Sequence, residues 1–144
     1  MLTEKFKKTI KNLFGAFFAC MALAACTTTE TSNKICTDLT GEWNIVEANG
    51  ISTDSAQTRP YIHFTDSGTV NGNASVNTFF GRYTTNGDTL SLYEMGATMM
   101  MGEHMEVESA VMEALGKTVT FKLENSTLSV KDANGNSVMT LERK

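Results

Sequence analysis

Beyond Leu39 the chain alternates apolar and polar residues in short runs. Leu90 and Leu92 alternate with Thr89 and Ser91, and Val119, Phe121 and Leu123 with Thr118, Thr120 and Lys122. Leu128 and Val130 stand between Thr127, Ser129 and Lys131, while Trp43 with Ile45 and Ile62 with Phe64 repeat the pattern. A period of two puts the apolar side chains of a segment on one face, as in a strand with one buried and one wet side. Asp66-Ser67-Gly68, Asn86-Gly87, Glu124-Asn125-Ser126 and Asn134-Gly135 separate these runs. Such residues suit the backbone of tight turns. Gly72, Gly81 and Gly87 read as turn or bulge glycines. One-sided strands joined by tight turns predict an antiparallel sheet that curls on itself.

One segment changes period. Val107, Ala110, Val111, Ala114 and Leu115 fall at i, i+3, i+4, i+7 and i+8, a single helical face. Glu103, Glu106 and Glu108 crowd its start, where the helix dipole favours negative charge. Gly116 suits the left-handed position just past a helix end, and Lys117 follows it. The expected fold is therefore mainly β: an antiparallel, open or cracked barrel-like curled sheet with one helix, about 103–116, packed against it.

The first 25 residues have another character. Lys5, Lys7, Lys8 and Lys11 precede the apolar stretch Leu13–Ala25, which has the layout of an export signal and falls short of the roughly 20 apolar residues that span a bilayer. Its end, Leu23-Ala24-Ala25-Cys26, resembles a bacterial lipobox, where cleavage precedes the cysteine and lipid is attached to it. Cleavage at an A-x-A-like site to give a soluble secreted protein is the alternative. The expected organisation is a lipoprotein signal peptide over 1–25, a polar tether over 26–38 and a folded domain over 39–144. Lipid on Cys26 anchors the chain to the envelope without a span. Thr27 is not the acidic residue associated with inner-membrane retention, so the expected address is the outer membrane.

Charge and cysteine usage narrow the chemistry. Loss of residues 1–25 removes four lysines and Glu4, turning 12 basic and 16 acidic residues into 8 and 15, a net charge of −7. An acidic chain without a basic run argues against nucleic acid and against docking on anionic headgroups. Of the three cysteines, Cys20 leaves with the signal and Cys26 takes the lipid, so Cys36 stands alone. Only His63 and His104 could assist it, and His63 reads as an outward strand residue. No Ser-His-Asp set, glycine-rich phosphate loop or two-histidine metal spacing occurs, and Glu103, Glu106 and Glu108 lack Ca²⁺-loop spacing. These residues predict no catalytic group, cofactor or metal site, hence no enzyme.

The segment Met95–Met105 holds five of the nine methionines. Read as a continuing strand, it puts Met99 and Met101 on one face and Met100 on the other, and methionine fills irregular cores well. Core or cavity lining is the first expectation. A Cu(I) site of Met99, Met101, Met105 and His104 is the alternative, since thioethers suit soft cations, and oxidant scavenging is a third.

Leu39-Thr-Gly-Glu-Trp43, Asn49-Gly50, Pro60-Tyr-Ile-His-Phe64, Gly68-Thr-Val-Asn-Gly72, Asn77-Thr-Phe-Phe-Gly-Arg-Tyr83, Gly87-Asp-Thr-Leu90, Met95-Gly-Ala-Thr98 and Asp132-Ala-Asn-Gly135 follow one another in an order that resembles the META/HslJ domain family. The likeness covers nearly all of 39–144. It implies an open β-barrel with a packed helix, similar to secretin-pilot lipoproteins, a link to stress resistance, and no established enzymatic activity. Members commonly carry Gly-Cys-Asn where this chain has Ser75-Val76-Asn77, and a second cysteine near Met101-Gly102. The resemblance implies that a bridging pair is absent here as a unit and that Val76 simply packs. The expected function is a non-enzymatic envelope lipoprotein that binds an apolar ligand or an envelope protein in its cleft. Periplasmic Cu(I) or metal handling by Met95–Met105 is the alternative.

Overall fold

The computed structural model describes residues 37–144. The signal, most of the tether, Cys26 and Cys36 lie outside the described residues. A 3-10 turn, Thr37–Leu39, leads into β1 (Gly41–Ala48), β2 (Ile51–Ser52), β3 (Tyr61–Phe64), β4 (Thr69–Asn73), β5 (Thr78–Asn86) and β6 (Thr89–Ala97). Helix α1 (Met105–Lys117) follows, then β7 (Thr120–Glu124), β8 (Thr127–Lys131) and β9 (Ser137–Arg143). The alternating runs are all strands, and each turn signal joins neighbouring antiparallel strands.

β1 and β3 to β9 form a ring, with β2 hairpinned onto the end of β1. Asn49 and Gly50, both at positive φ (47° and 77°), make that turn, the backbone that matches strand twist in two-residue hairpins. The ring bears out the expected barrel-like curled antiparallel sheet with one helix, and adds its closure. β1 pairs with β9, Trp43 opposite Arg143 and Ala48 opposite Met139, so the first and last strands of the ring cover each other's edges. The expected crack survives at one seam, where β6 and β7 share only the pair Thr89 and Thr120.

The one-sided strands turn their apolar faces inward. Trp43, Ile45, Phe64, Phe79, Tyr83 and Leu141 are among the buried side chains that fill the ring. The Trp43 indole N–H donates to the Leu39 carbonyl at 2.8 Å, and the Arg143 guanidinium lies 4.2 Å from the Trp43 ring. Phe64 meets Tyr83 edge to face at 4.9 Å, and the Tyr83 hydroxyl donates to the Thr65 carbonyl at 2.6 Å. Aromatic pairs of this kind add to simple burial. Gly72 is not a turn residue. It lies inside β4, where a Cβ would overlap the Phe79 ring.

Helix α1 packs against β1, β2 and β9, with Val107, Ala110, Val111, Ala114 and Leu115 buried as the period predicts. The helix begins at Met105 rather than near residue 103, because His104 takes a left-handed backbone (φ 53°) that cannot propagate a helix. Gly116 is helical, not the left-handed terminator expected. The helix runs on to Lys117, and Thr118 closes it with its hydroxyl donating to the Ala114 carbonyl at 3.0 Å.

Candidate functional site

Large buried side chains, Trp43, Tyr83 and Phe79 among them, occupy the ring. A half-open depression of ≈ 190 Å³ lies beside Thr53, Asp54, Ala56 and Arg59, smaller than the roughly 300–1,000 Å³ of ordinary ligand sites. Among the described residues no group of three or more His, Cys, Asp or Glu side chains could hold a metal ion. His63 is half-buried in β3 opposite Glu42 and Asn71, consistent with an outward strand position.

The outer edge of β6 is different. The Leu90 N–H reaches the Val119 carbonyl at 2.9 Å, and from Ser91 to Ala97 no described strand lies on that side. Backbone groups alternate between the two edges of a strand, so Leu92 presents its N–H and C=O on the same side as Leu90. The Thr98 N–H reaches back to the Thr78 carbonyl at 3.0 Å, which puts the groups of Ala97 on the outer edge too. Between them the register with β5 shifts at Phe80/Arg82, and Glu94 takes a left-handed φ of 53°. That is a β-bulge, and it re-aims side chains. A Cβ on Gly81 would overlap the Met95 sulfur, and one on Gly96 would overlap the Phe80 ring. The two glycines therefore let Met95 and Phe80 lie flat across the hairpin. Phe80 is 58% exposed and Tyr93 40%.

Met99, Met100 and Met101 are 96%, 57% and 87% exposed. The expectation that they line the core is wrong. The reason is Asn77, a buried side chain whose oxygen accepts from the Met100 N–H (2.6 Å) and the Thr98 hydroxyl (2.8 Å), while its amide donates to the Met100 carbonyl (2.9 Å). These bonds end the strand at Ala97 and hold the next residues as an irregular strap with its methionines in water. The Glu103 N–H is held by the Gln57 side chain at 3.0 Å. His104 is exposed, with Nδ1 3.2 Å from Glu106.

The support beneath this strap is polar and local. Glu108, 5% exposed, accepts from the N–H groups of Val76 (2.9 Å) and Asn77 (3.2 Å), tying α1 to the β4–β5 loop. Ser75 is fully buried at φ 134°, a conformation that favours glycine. Its hydroxyl accepts from the Gln57 N–H at 3.0 Å. A Cβ on Gly102 would come 2.7 Å from a methyl of Val76, so the two places where the resemblance implies a bridge are neighbours. Glu124 is held below the ordinary carboxylate range by Lys122, and Asp132 by hydrogen bonds from Asn136. Both belong to the turns of β7–β9.

The META domain family model matches residues 37–144. The chain belongs to the META family. Three solved structures share the fold of this META domain. One is a protein determined by NMR, at 20% identity and TM-score 0.57, covering 70% of this chain and 86% of its own. Another is a DUF4847 family protein from Bacteroides vulgatus, at 13% and 0.55, covering 73% and 93%. The third is a protein from Burkholderia xenovorans, at 18% and 0.53, covering 72% and 81%. At these identities the likeness establishes the fold alone. No curated protein matches the chain.

Sequence reasoning passed over Asn77 and Phe80 as residues with roles, and read Glu108 only as part of the acidic helix start. The only signal for Phe80 was its adjacency to Phe79, since two consecutive aromatics in a strand must face opposite ways.

Proposed function

We propose that this META-family chain is a non-enzymatic lipoprotein of the bacterial cell envelope. It binds a protein partner through the surface of Phe80, Tyr93, Met95 and Met99–Met101, and so supports envelope integrity under stress. The observation that carries the reading is the exposure of Met99 and Met101 (96% and 87%) next to a half-exposed Phe80. Apolar side chains gathered in water mark interaction sites, and methionine adapts to varied partners. The exposed strap, beside a half-open depression of only ≈ 190 Å³, favours a surface site over the cleft expected from sequence.

The anchor is supported by Leu23-Ala24-Ala25-Cys26 and the polar residues after it, and Thr27 favours the outer membrane. Replacing Met99 by a photo-crosslinking amino acid in the full-length chain, in growing cells, is expected to give one discrete adduct that a crosslinker at Thr127 does not. No adduct from position 99 or 101 would remove the reading. Cys26→Ala should lose the acyl mass and membrane association. A variant that fractionates like the parent ends the anchor proposal.

A second reading uses the same strap. Exposed thioethers at Met99 and Met101 are open to a soft cation such as Cu(I), with His104 and Met105 close in sequence. Titration with Cu(I) against a competing chelator tests it. Binding weaker than about micromolar, or unchanged in Met99→Leu/Met101→Leu, eliminates it.

A further inference from the structure

A closed barrel has no reason to leave one side of a strand without a neighbour, yet on the side away from β5 no described strand pairs with Ser91–Ala97. An open edge carries unpaired donors and acceptors at strand spacing and is a template for another strand. Here the outward groups of Leu92 and Ala97 lie on either side of the bulge at Glu94. Phe80 and Tyr93 stand exposed on the adjoining outer face. Backbone pairing along an edge with pockets for alternate side chains is the geometry of strand addition.

Charge decides what kind of strand fits. Glu94 sits on the edge strand itself with its side chain 66% exposed, and Arg82 of β5 is 3.9 Å from it. Glu103 and Glu106 follow the strap, both exposed. A second copy of this chain would bring one acidic rim toward another, and a charged bulge on an edge opposes such self-pairing. An anionic bilayer is opposed by the same rim. A segment bearing lysine or arginine is favoured by it.

We propose that β6 accepts an extended segment of a partner protein as an added strand along Ser91–Ala97. The segment alternates apolar side chains and carries Lys or Arg toward Glu94 and Glu103. This rests on the reading of the chain as a partner-binding module and names the partner's chemistry.

Three synthetic peptides test it on the full-length protein in detergent. The first alternates valine and threonine with lysine at both ends, the second has glutamate at the ends, and the third is the lysine peptide N-methylated at alternate amides. Backbone NMR shifts and hydrogen exchange of Leu92 and Ala97 are read. The lysine peptide should shift Ser91–Ala97 and slow exchange at Leu92 and Ala97. The glutamate peptide should bind at least about tenfold more weakly, and N-methylation, which removes strand donors without changing side chains, should abolish binding. No perturbation of β6 by any peptide overturns the proposal, as does equal binding of the methylated copy. If that copy binds equally and Met99→Ser/Met101→Ser abolishes binding, strand addition fails while the surface reading stands. If the peptide adds to β6 but position 99 gives no adduct in cells, the surface reading fails alone.

Discussion

β1 and β6 are both central strands of the same ring, and they are held very differently. β1 is paired along both edges, by β9 on one side and by β2 and β3 on the other. Trp43 and Ile45 are fully buried in it and Ala48 nearly so. β6 is paired with β5 at seven residues but touches β7 at one pair, and Tyr93 and Met95 in it are exposed. The difference teaches that closure sits on the β1 side, while the outer edge of β6 beyond Leu90 meets no described strand.

The largest effect should come from β1. Trp43→Ala removes a fully buried ring, its hydrogen bond to Leu39 and its cation–π partner Arg143. Urea unfolding should show a loss of about 3–5 kcal/mol, and a loss under 1 kcal/mol would break the contrast. Glu108→Ala comes next, leaving the Val76 and Asn77 N–H groups without their acceptor. We expect about 2–4 kcal/mol, with faster hydrogen exchange at those two amides. Unchanged exchange would show that the clamp is not what holds the loop.

Ser75 gives a smaller, comparative test. Both Ser75→Ala and Ser75→Gly lose the tie to Gln57, but only alanine keeps the unfavourable φ of 134°. Glycine should therefore be the more stable of the two by about 1 kcal/mol in chemical denaturation. Reversed order would mean that the loop relaxes. On the β6 side, Met99→Ser/Met101→Ser should change stability by less than about 0.5 kcal/mol, since exposed residues seldom matter more. A loss above 1 kcal/mol would show that the strap is structural after all.

The smallest effect is one of pH. Asp132 accepts from the Asn136 backbone and side chain and from the Asn134 N–H, and its carboxyl is held below the ordinary value. A depressed folded-state pKa contributes stability that is present above the unfolded value of about 4. That contribution is lost as pH falls through the folded value. Denaturant midpoints measured from pH 6 downward should fall slightly less steeply in Asp132→Ala than in the parent. Parallel curves would rule out a contribution from this turn.

The strands and helix were legible because their information is local. Alternation in 127–131 and the 3.6-residue period in 107–115 report directly on which side chains meet the core. β5 was harder to read, as Phe79 and Phe80 stand side by side and only register separates the buried ring from the exposed one. The strap was misread because what directs it is not local. Its methionines continue the composition of β6, while the bonds that turn them outward come from Asn77, 23 residues before Met100. Closure by β1 and β9 lies beyond local pattern for the same reason, as does the helix start, where the glutamates point to residue 103 but His104 breaks the backbone.

The pairing of β1 with β9 also sets the order of events in folding. Trp43 and Arg143, from 43 to 143, stand 100 residues apart in sequence and side by side in the ring. Local hairpins such as β5–β6 can form early, but β1 must wait for the last strand before its second edge is satisfied. Chains dominated by such distant pairings fold in milliseconds to seconds rather than microseconds. During that wait the tryptophan face of β1 stays uncovered, so this interval is when the chain is most open to misassociation.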